Sequence, residues 1–128
     1  MSPKAKKITG WVITGLAALA FMMSAFMKFS AGPDSVKMAG AMGLGNNIKI
    51  IGVLELLSLI LFVIPRTGVL GTLLLAAYLG GAIATHLEHQ QPFYAPMIIE
   101  CLIWIAAVLR FPELGSRIMG VNADTNNP

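Results

Sequence analysis

The longest uncharged segment near the N-terminus, ITGWVITGLAALAFMMSAFM, occupies residues 8–27 between Lys7 and Lys28. None of these 20 residues is charged. Because an α-helix rises about 1.5 Å per residue, the stretch is long enough to cross a hydrocarbon layer about 30 Å thick. It also exceeds the apolar region of about 7–15 residues found in a cleaved signal peptide, so an uncleaved transmembrane helix is predicted.

Charged residues divide the rest of the chain into three further apolar stretches. They cover residues 50–65, 67–87 and 93–109. In lipid every backbone amide must be hydrogen-bonded within the protein, and these stretches are too long for barrel strands, so helices are predicted. The sequence therefore predicts an all-α fold, an antiparallel up-and-down bundle of four transmembrane helices. Asp34 can cap a further short helix, running to about residue 42, in the first outer loop.

The composition agrees with a membrane protein and excludes other classes. Hydrophobic residues make up 56% of the chain and charged residues 12%, against roughly a quarter charged in soluble domains. The net charge of +3 comes from Lys and Arg that flank apolar stretches. Such a pattern predicts contact with the lipid bilayer and no nucleic-acid partner. The single cysteine, Cys101, excludes a disulfide-exchange enzyme, which needs two thiols.

The distribution of basic residues predicts the orientation of the bundle. With four spans, the termini share one side with the turn at residues 65–68. That side holds six basic residues (Lys4, Lys6, Lys7, Arg66, Arg110 and Arg117), and the other holds three (Lys28, Lys37 and Lys49). The positive-inside rule then places both termini in the cytoplasm. The inner cell membrane is the predicted location. The predicted domains are a basic cytoplasmic N-terminus at residues 1–7, a transmembrane domain at 8–113 and a cytoplasmic tail at 114–128. The end of the tail is predicted to be disordered.

Ionisable residues of the four helices fall on one side of the bundle in this topology. Lys28, Glu55, His86 and Glu100 come one from each helix and lie in the outer half of the bundle, whereas the inner half of the spans has none. An unpaired charge in hydrocarbon is costly, so Glu55 is expected to face the bundle interior and to pair with His86 or Lys28. These four residues are the candidate binding pocket. The sequence does not identify a catalytic residue. No metal site is predicted, because methionine is common in core packing.

Several segments resemble those of a known family. The sequence contains IGVLEL at residues 51–56, IPRTG at 64–68, AAYLGGAIATH at 76–86 and LRFP at 109–112. Together with Lys28 at the end of the first helix, they resemble the DoxX-like family over residues 8–113. This resemblance implies a small four-helix membrane protein. Relatives in that family include the small subunit of a thiosulfate–quinone oxidoreductase and membrane partners in oxidative-stress complexes.

The sequence leaves three functions open and does not decide whether the chain is an enzyme. The first is a redox-associated membrane subunit whose pocket binds a quinone or a small sulfur anion. His86 and Lys28 would supply donors or positive charge, and Glu55 would handle protons. No haem, flavin or disulfide motif is present. The second is a proton-coupled transporter, although small multidrug exporters carry their acid in the first helix. The third is a non-catalytic scaffold that binds a soluble protein partner. The sequence leaves open both a protein partner and a homo-oligomer.

Overall fold

The structure, a computed structural model, describes residues 2–30, 37, 40 and 47–120. These residues form helices and connecting turns without a strand, which confirms the all-α prediction. The helices are α1 (Pro3–Phe29), α2 (Ile48–Val63), α3 (Gly68–Glu88), α4 (Tyr94–Arg110) and α5 (Pro112–Ile118), with a 3₁₀ turn at Pro65–Thr67. The short helix predicted for residues 34–42 falls almost wholly outside the described residues, as does the end of the tail.

The helix ends follow from capping residues and prolines. Ser2 accepts a hydrogen bond from the Ala5 amide at 3.1 Å, and proline occupies the first position of α1. Pro65 ends α2 because the residue before a proline avoids helical backbone angles. At the end of α3, Gln90 adopts a positive φ of 55°. Its amide and that of Gln91 then bond back to the carbonyls of Leu87 and His86, which closes the helix.

Each of the four longer helices packs against two others. Helix α1 contacts α2 and α4, and α3 contacts the same two helices. The buried apolar core between them is built from small and large side chains from all four helices: Ala17, Phe21, Leu59, Phe62, Leu75, Leu79, Ile103, Ala106 and Ala107, with Phe111 beyond α4. Gly71 lets α3 approach α2 closely, because a methyl group there would overlap the backbone of Phe62.

Large apolar side chains cover the outside of the helices. Exposed examples occur on all four, such as Leu16, Leu57, Leu73 and Ile98, as expected for a surface that faces lipid. Among the described residues, two segments are long and apolar enough to cross a membrane, Pro3–Phe29 and Pro65–Glu88. A third is added if α4 and α5 count as one bent span. The number of candidate spans is smaller than the predicted four because α2 and α4 are short. They have 16 and 17 residues, below the length of about 18 that marks a candidate transmembrane helix.

Helix α5 was not predicted. Phe111, which precedes Pro112, has non-helical backbone angles, and the chain bends by 115° between α4 and α5. Gly115 of α5 is buried and Leu114 packs against the core. The segment that follows α4, expected to begin a tail at residue 114, is therefore part of the folded domain as far as α5 extends.

Candidate functional site

The centre of the candidate site is a buried ion pair between α1 and α2. Glu55 is only 1% exposed, and its Oε2 lies 2.7 Å from the Nζ of Lys28. The same oxygen accepts a hydrogen bond from the hydroxyl of Tyr78 at 3.1 Å. Of the two partners expected for Glu55, the structure brings Lys28 to it. The second donor, Tyr78 of α3, was not expected from the sequence.

Three helices hold this pair in position. Lys28 lies in the last turn of α1, one turn after Ser24, and its ammonium also donates to the Ser24 hydroxyl at 2.5 Å. Glu55 shares the buried face of α2 with Gly52. The ring of Tyr78 packs edge-on against the buried Phe21, with 6.4 Å between the centroids. The pair is therefore held between α1 and α2, with the Tyr78 hydroxyl of α3 as its third polar contact.

The ion pair forms one wall of a cavity of about 500 Å³, a volume within the range of small-molecule sites. Its polar lining consists of Ser24, Lys28, Glu55, Tyr78, Thr85 and His86. The rest of the lining is apolar or glycine, namely Ala20, Phe21, Ile51, Leu79, Gly81, Ala82, Ala95, Pro96 and Ile99. All four long helices contribute to it. The cavity is therefore mostly apolar, with a polar cluster on one side.

His86 lines this cavity with one ring nitrogen already engaged. Its Nδ1 lies 2.6 Å from the carbonyl oxygen of Ala82, one turn earlier in α3. A carbonyl can only accept, so Nδ1 carries the proton in this contact. The other nitrogen, Nε2, is then left for a ligand. His89 makes the same kind of contact with the carbonyl of Thr85, at 2.9 Å, but does not line the cavity.

Glu100 is not brought together with the other three candidate residues. It is half-buried and absent from the cavity wall, although Pro96 and Ile99 of the same helix line it. Among the described residues its side chain makes no hydrogen bond or ion pair. Successive helix residues turn by about 100°, which places Glu100 roughly a quarter turn from the centre of the cavity-lining face. The structure thus groups Lys28, Glu55 and His86, with Tyr78 added.

A second buried charge was missed by sequence reasoning. The sequence predicts Arg110 to be a flanking charge at the membrane surface, yet it is only 5% exposed. Its guanidinium lies 4.0 Å from the centroid of the Trp11 ring and 4.9 Å from that of Phe62. It also donates to the Thr14 hydroxyl and to a backbone carbonyl, each at 3.3 Å. The sequence signal for this arrangement is the spacing of Trp11 and Thr14, which places both residues on one face of α1.

The donor groups of the described residues narrow the range of ligands. No group of three or more His, Cys, Asp or Glu side chains in that part of the chain is close enough to hold a metal ion. Cys101 is exposed and has no second thiol to pair with. The cavity by contrast offers an ammonium, a carboxylate, a phenol and an imidazole beside apolar walls. Such a lining suits an organic molecule with an apolar body and polar substituents.

Comparisons with known proteins identify a family. No curated protein and no solved structure matches the chain. The sequence profile of one family, described as DoxX-like, matches residues 12–109, which include all four long helices in whole or in most part. The match agrees with the resemblance seen in the sequence and with the apolar outer surface of the helices. The chain belongs to the DoxX-like family and is a membrane protein.

Proposed function

We propose that this protein is a four-span membrane subunit of a redox system whose cavity binds the ring of a quinone. The observation that carries the proposal is the buried Lys28–Glu55 pair on the wall of a largely apolar cavity. Three points support it: the outer surface of the helices, the net charge of the polar cluster, and the arrangement of donors and acceptors.

The outer surface favours four antiparallel spans. Helices α2 and α4 are short, but each presents large apolar side chains outward, including Val53 and Ile60 on α2 and Ile105 on α4. A helix that is apolar all round belongs in lipid or in a protein core. The short turn at Pro65–Thr67 suits an antiparallel pair. With six basic residues against three, the N- and C-termini are then cytoplasmic in the inner membrane, and the cavity lies in the outer half.

The charge of the polar cluster favours a neutral ligand over a small anion. The ammonium of Lys28 is already balanced by the carboxylate of Glu55 at 2.7 Å. An anion would have to compete with that carboxylate for Lys28, the one lysine among the described residues that line the cavity. A neutral quinone ring needs no counter-charge, and its apolar body matches the alanine, leucine and isoleucine side chains that line the rest of the cavity.

The hydrogen-bonding groups of the cavity suit both redox forms of a quinone. Two of the three N–H donors of Lys28 are used by Ser24 and Glu55, so one remains for a quinone carbonyl. Both contacts to Glu55 end on Oε2, which leaves Oε1 as an acceptor. The Nε2 of His86 is a second acceptor while the imidazole is neutral. These two acceptors would accept hydrogen bonds from the hydroxyl groups of the reduced ring.

This arrangement suits a binding subunit better than a transporter. Glu55 is held by two donors at once, whereas a carrier of protons has to release its partners in each cycle. The described residues include no motif for an electron-carrying cofactor, so the electrons would come from a partner protein. The role of this chain is then to hold the quinone ring at a fixed depth and to exchange hydrogen bonds with it.

The test is quinone binding by the purified protein, with a histidine pair as internal control. The chain is purified in a mild detergent, and its melting temperature is followed as decylubiquinone is added. A ligand that binds only the folded state raises the melting temperature as its concentration exceeds its Kd. We expect His86→Leu to weaken binding about tenfold, the equivalent of one hydrogen bond. His89→Leu should bind normally, since His89 makes the same backbone contact outside the cavity.

Two outcomes would contradict the proposal. If His86→Leu and wild type bind decylubiquinone equally, the cavity is not the binding site. If thiosulfate stabilises the protein and decylubiquinone does not, the cavity takes small anions and the argument from the Lys28–Glu55 charge balance is wrong.

A further inference from the structure

A second cavity lies at the other end of the molecule. The first cavity lies between the four long helices, near the end of α1 and the start of α4. The second, of about 750 Å³, is formed by the start of α1, the end of α4 and α5. Three basic side chains line the second cavity, Lys6, Lys7 and Arg110, and one acidic side chain, Glu113. Its net charge is therefore positive, in contrast to the balanced pair of the first cavity.

Arg110 makes this positive charge a built feature of the fold. It is 5% exposed, and its guanidinium contacts aromatic rings and two oxygen acceptors that carry no full charge. Within the part of the chain that the structure describes, the one ion pair is Lys28–Glu55, so Arg110 has no carboxylate partner there. A buried cation is stabilised when an anion comes within a few ångströms of it. Lys6 and Lys7 add further attraction for that anion.

The surroundings of the second cavity indicate the chemical class of this anion. Val108, Leu109 and Met119 supply apolar lining beside the basic groups. Helix α5 leaves α4 at 115°, so if α4 crosses the bilayer α5 runs close to the membrane plane. Ile118 and Met119, at the end of α5, are exposed. Basic groups beside apolar walls at the level of an interfacial helix match a phosphate group with acyl chains below it.

We propose that this second cavity, formed by Lys6, Lys7, Arg110 and the α4–α5 bend, binds the headgroup phosphate of an anionic phospholipid. The two lysines contact the phosphate and Arg110 provides the fixed positive charge beneath it. The apolar lining accommodates the upper part of the acyl chains. A lipid bound in this way links the start of α1 to α5, the segments that the sequence predicts as the basic N-terminus and the beginning of the tail.

The experiment measures lipid selectivity of the full chain. Protein in mild detergent is mixed with equal amounts of dioleoylphosphatidylglycerol and dioleoylphosphatidylcholine, separated from free lipid by gel filtration, and its bound lipids are quantified by mass spectrometry. The variant is Lys6→Gln with Lys7→Gln. The matched control is Lys37→Gln with Lys49→Gln, two exposed lysines outside this cavity. Each lysine near an anionic lipid raises the binding affinity about fivefold.

The expected result is enrichment of phosphatidylglycerol by the wild-type protein and the control, and a loss of at least about fivefold in the Lys6/Lys7 variant. Equal enrichment in that variant would overturn the proposal, as would equal binding of the two lipids by the wild type. Inorganic phosphate is added to the wild type in a separate arm. If it displaces phosphatidylglycerol at equal concentration, the site takes free phosphate and the lipid assignment is wrong.

Discussion

Removing Lys28 should destabilise the protein more than removing the charge of its partner. In Lys28→Met, Glu55 would remain 1% exposed with only the Tyr78 hydroxyl bonded to it. Breaking a buried ion pair by removing one member costs about 3–5 kcal/mol. Because one hydrogen bond survives, we expect a value of about 3 kcal/mol for Lys28→Met, at the lower end of that range.

The reverse change, Glu55→Gln, should cost less. Its amide oxygen can still accept from Tyr78, and the Lys28 side chain, 19% exposed, can extend its ammonium towards water. A loss of about 1–2 kcal/mol is expected, as for a weakened buried hydrogen bond. The double variant has no charge to bury, so it should cost about 2 kcal/mol less than the sum of the single variants.

The assay is reversible unfolding in mixed micelles of mild detergent and sodium dodecyl sulfate, followed by the loss of helical signal. Glu88→Gln is the matched control, because Glu88 is exposed at the end of α3, and surface changes usually stay within about 0.5 kcal/mol. Additive losses in the double variant would refute the reasoning. They would mean that Lys28 and Glu55 are not energetically coupled, whatever their distance.

Three further predictions concern the fold. A reporter fused at residue 122 should lie in the cytoplasm and one at residue 91 outside, and the opposite result would reverse the orientation of the cavity. Gly71→Ala should lower the melting temperature, since the methyl group would meet the backbone of α2 and overpacking costs about 1–3 kcal/mol. Gly80→Ala, where the methyl group meets open space, should not. Gln90→Gly should raise the melting temperature, because Gln90 adopts a positive φ of 55° that glycine adopts without strain, and an unchanged value would mean that this backbone stores no strain.

The sequence was sufficient to locate the long helices and part of the site. Charges such as Lys7, Lys28 and Arg66 interrupt the apolar stretches close to the observed helix ends. The burial of Glu55 also followed from the cost of a charge in lipid. These predictions depend on the length and polarity of single segments, which the sequence displays directly.

The remaining features depend on contacts between segments distant in sequence. Arg110 is buried because Trp11 and Phe62, on two other helices, surround its guanidinium. Glu100 lies off the cavity because of the rotation of α4, which no residue count determines. Helix α5 folds back because Leu114 finds apolar neighbours in the core. Sequence spacing shows which residues share a helix face, but not which helix that face meets.

The central claim, that the first cavity holds a quinone ring, is tested most directly by filling that cavity. Ala82 of α3 lines it, whereas Ala84 on the same helix is exposed and lies outside it. The measurement is the amount of quinone that co-purifies with the protein from membranes in mild detergent, determined by mass spectrometry per mole of protein. Wild type and Ala84→Trp should retain quinone equally, and Ala82→Trp should retain at least about tenfold less, equivalent to about 1.4 kcal/mol of binding. A folded Ala82→Trp protein that carries as much quinone as wild type would contradict the account.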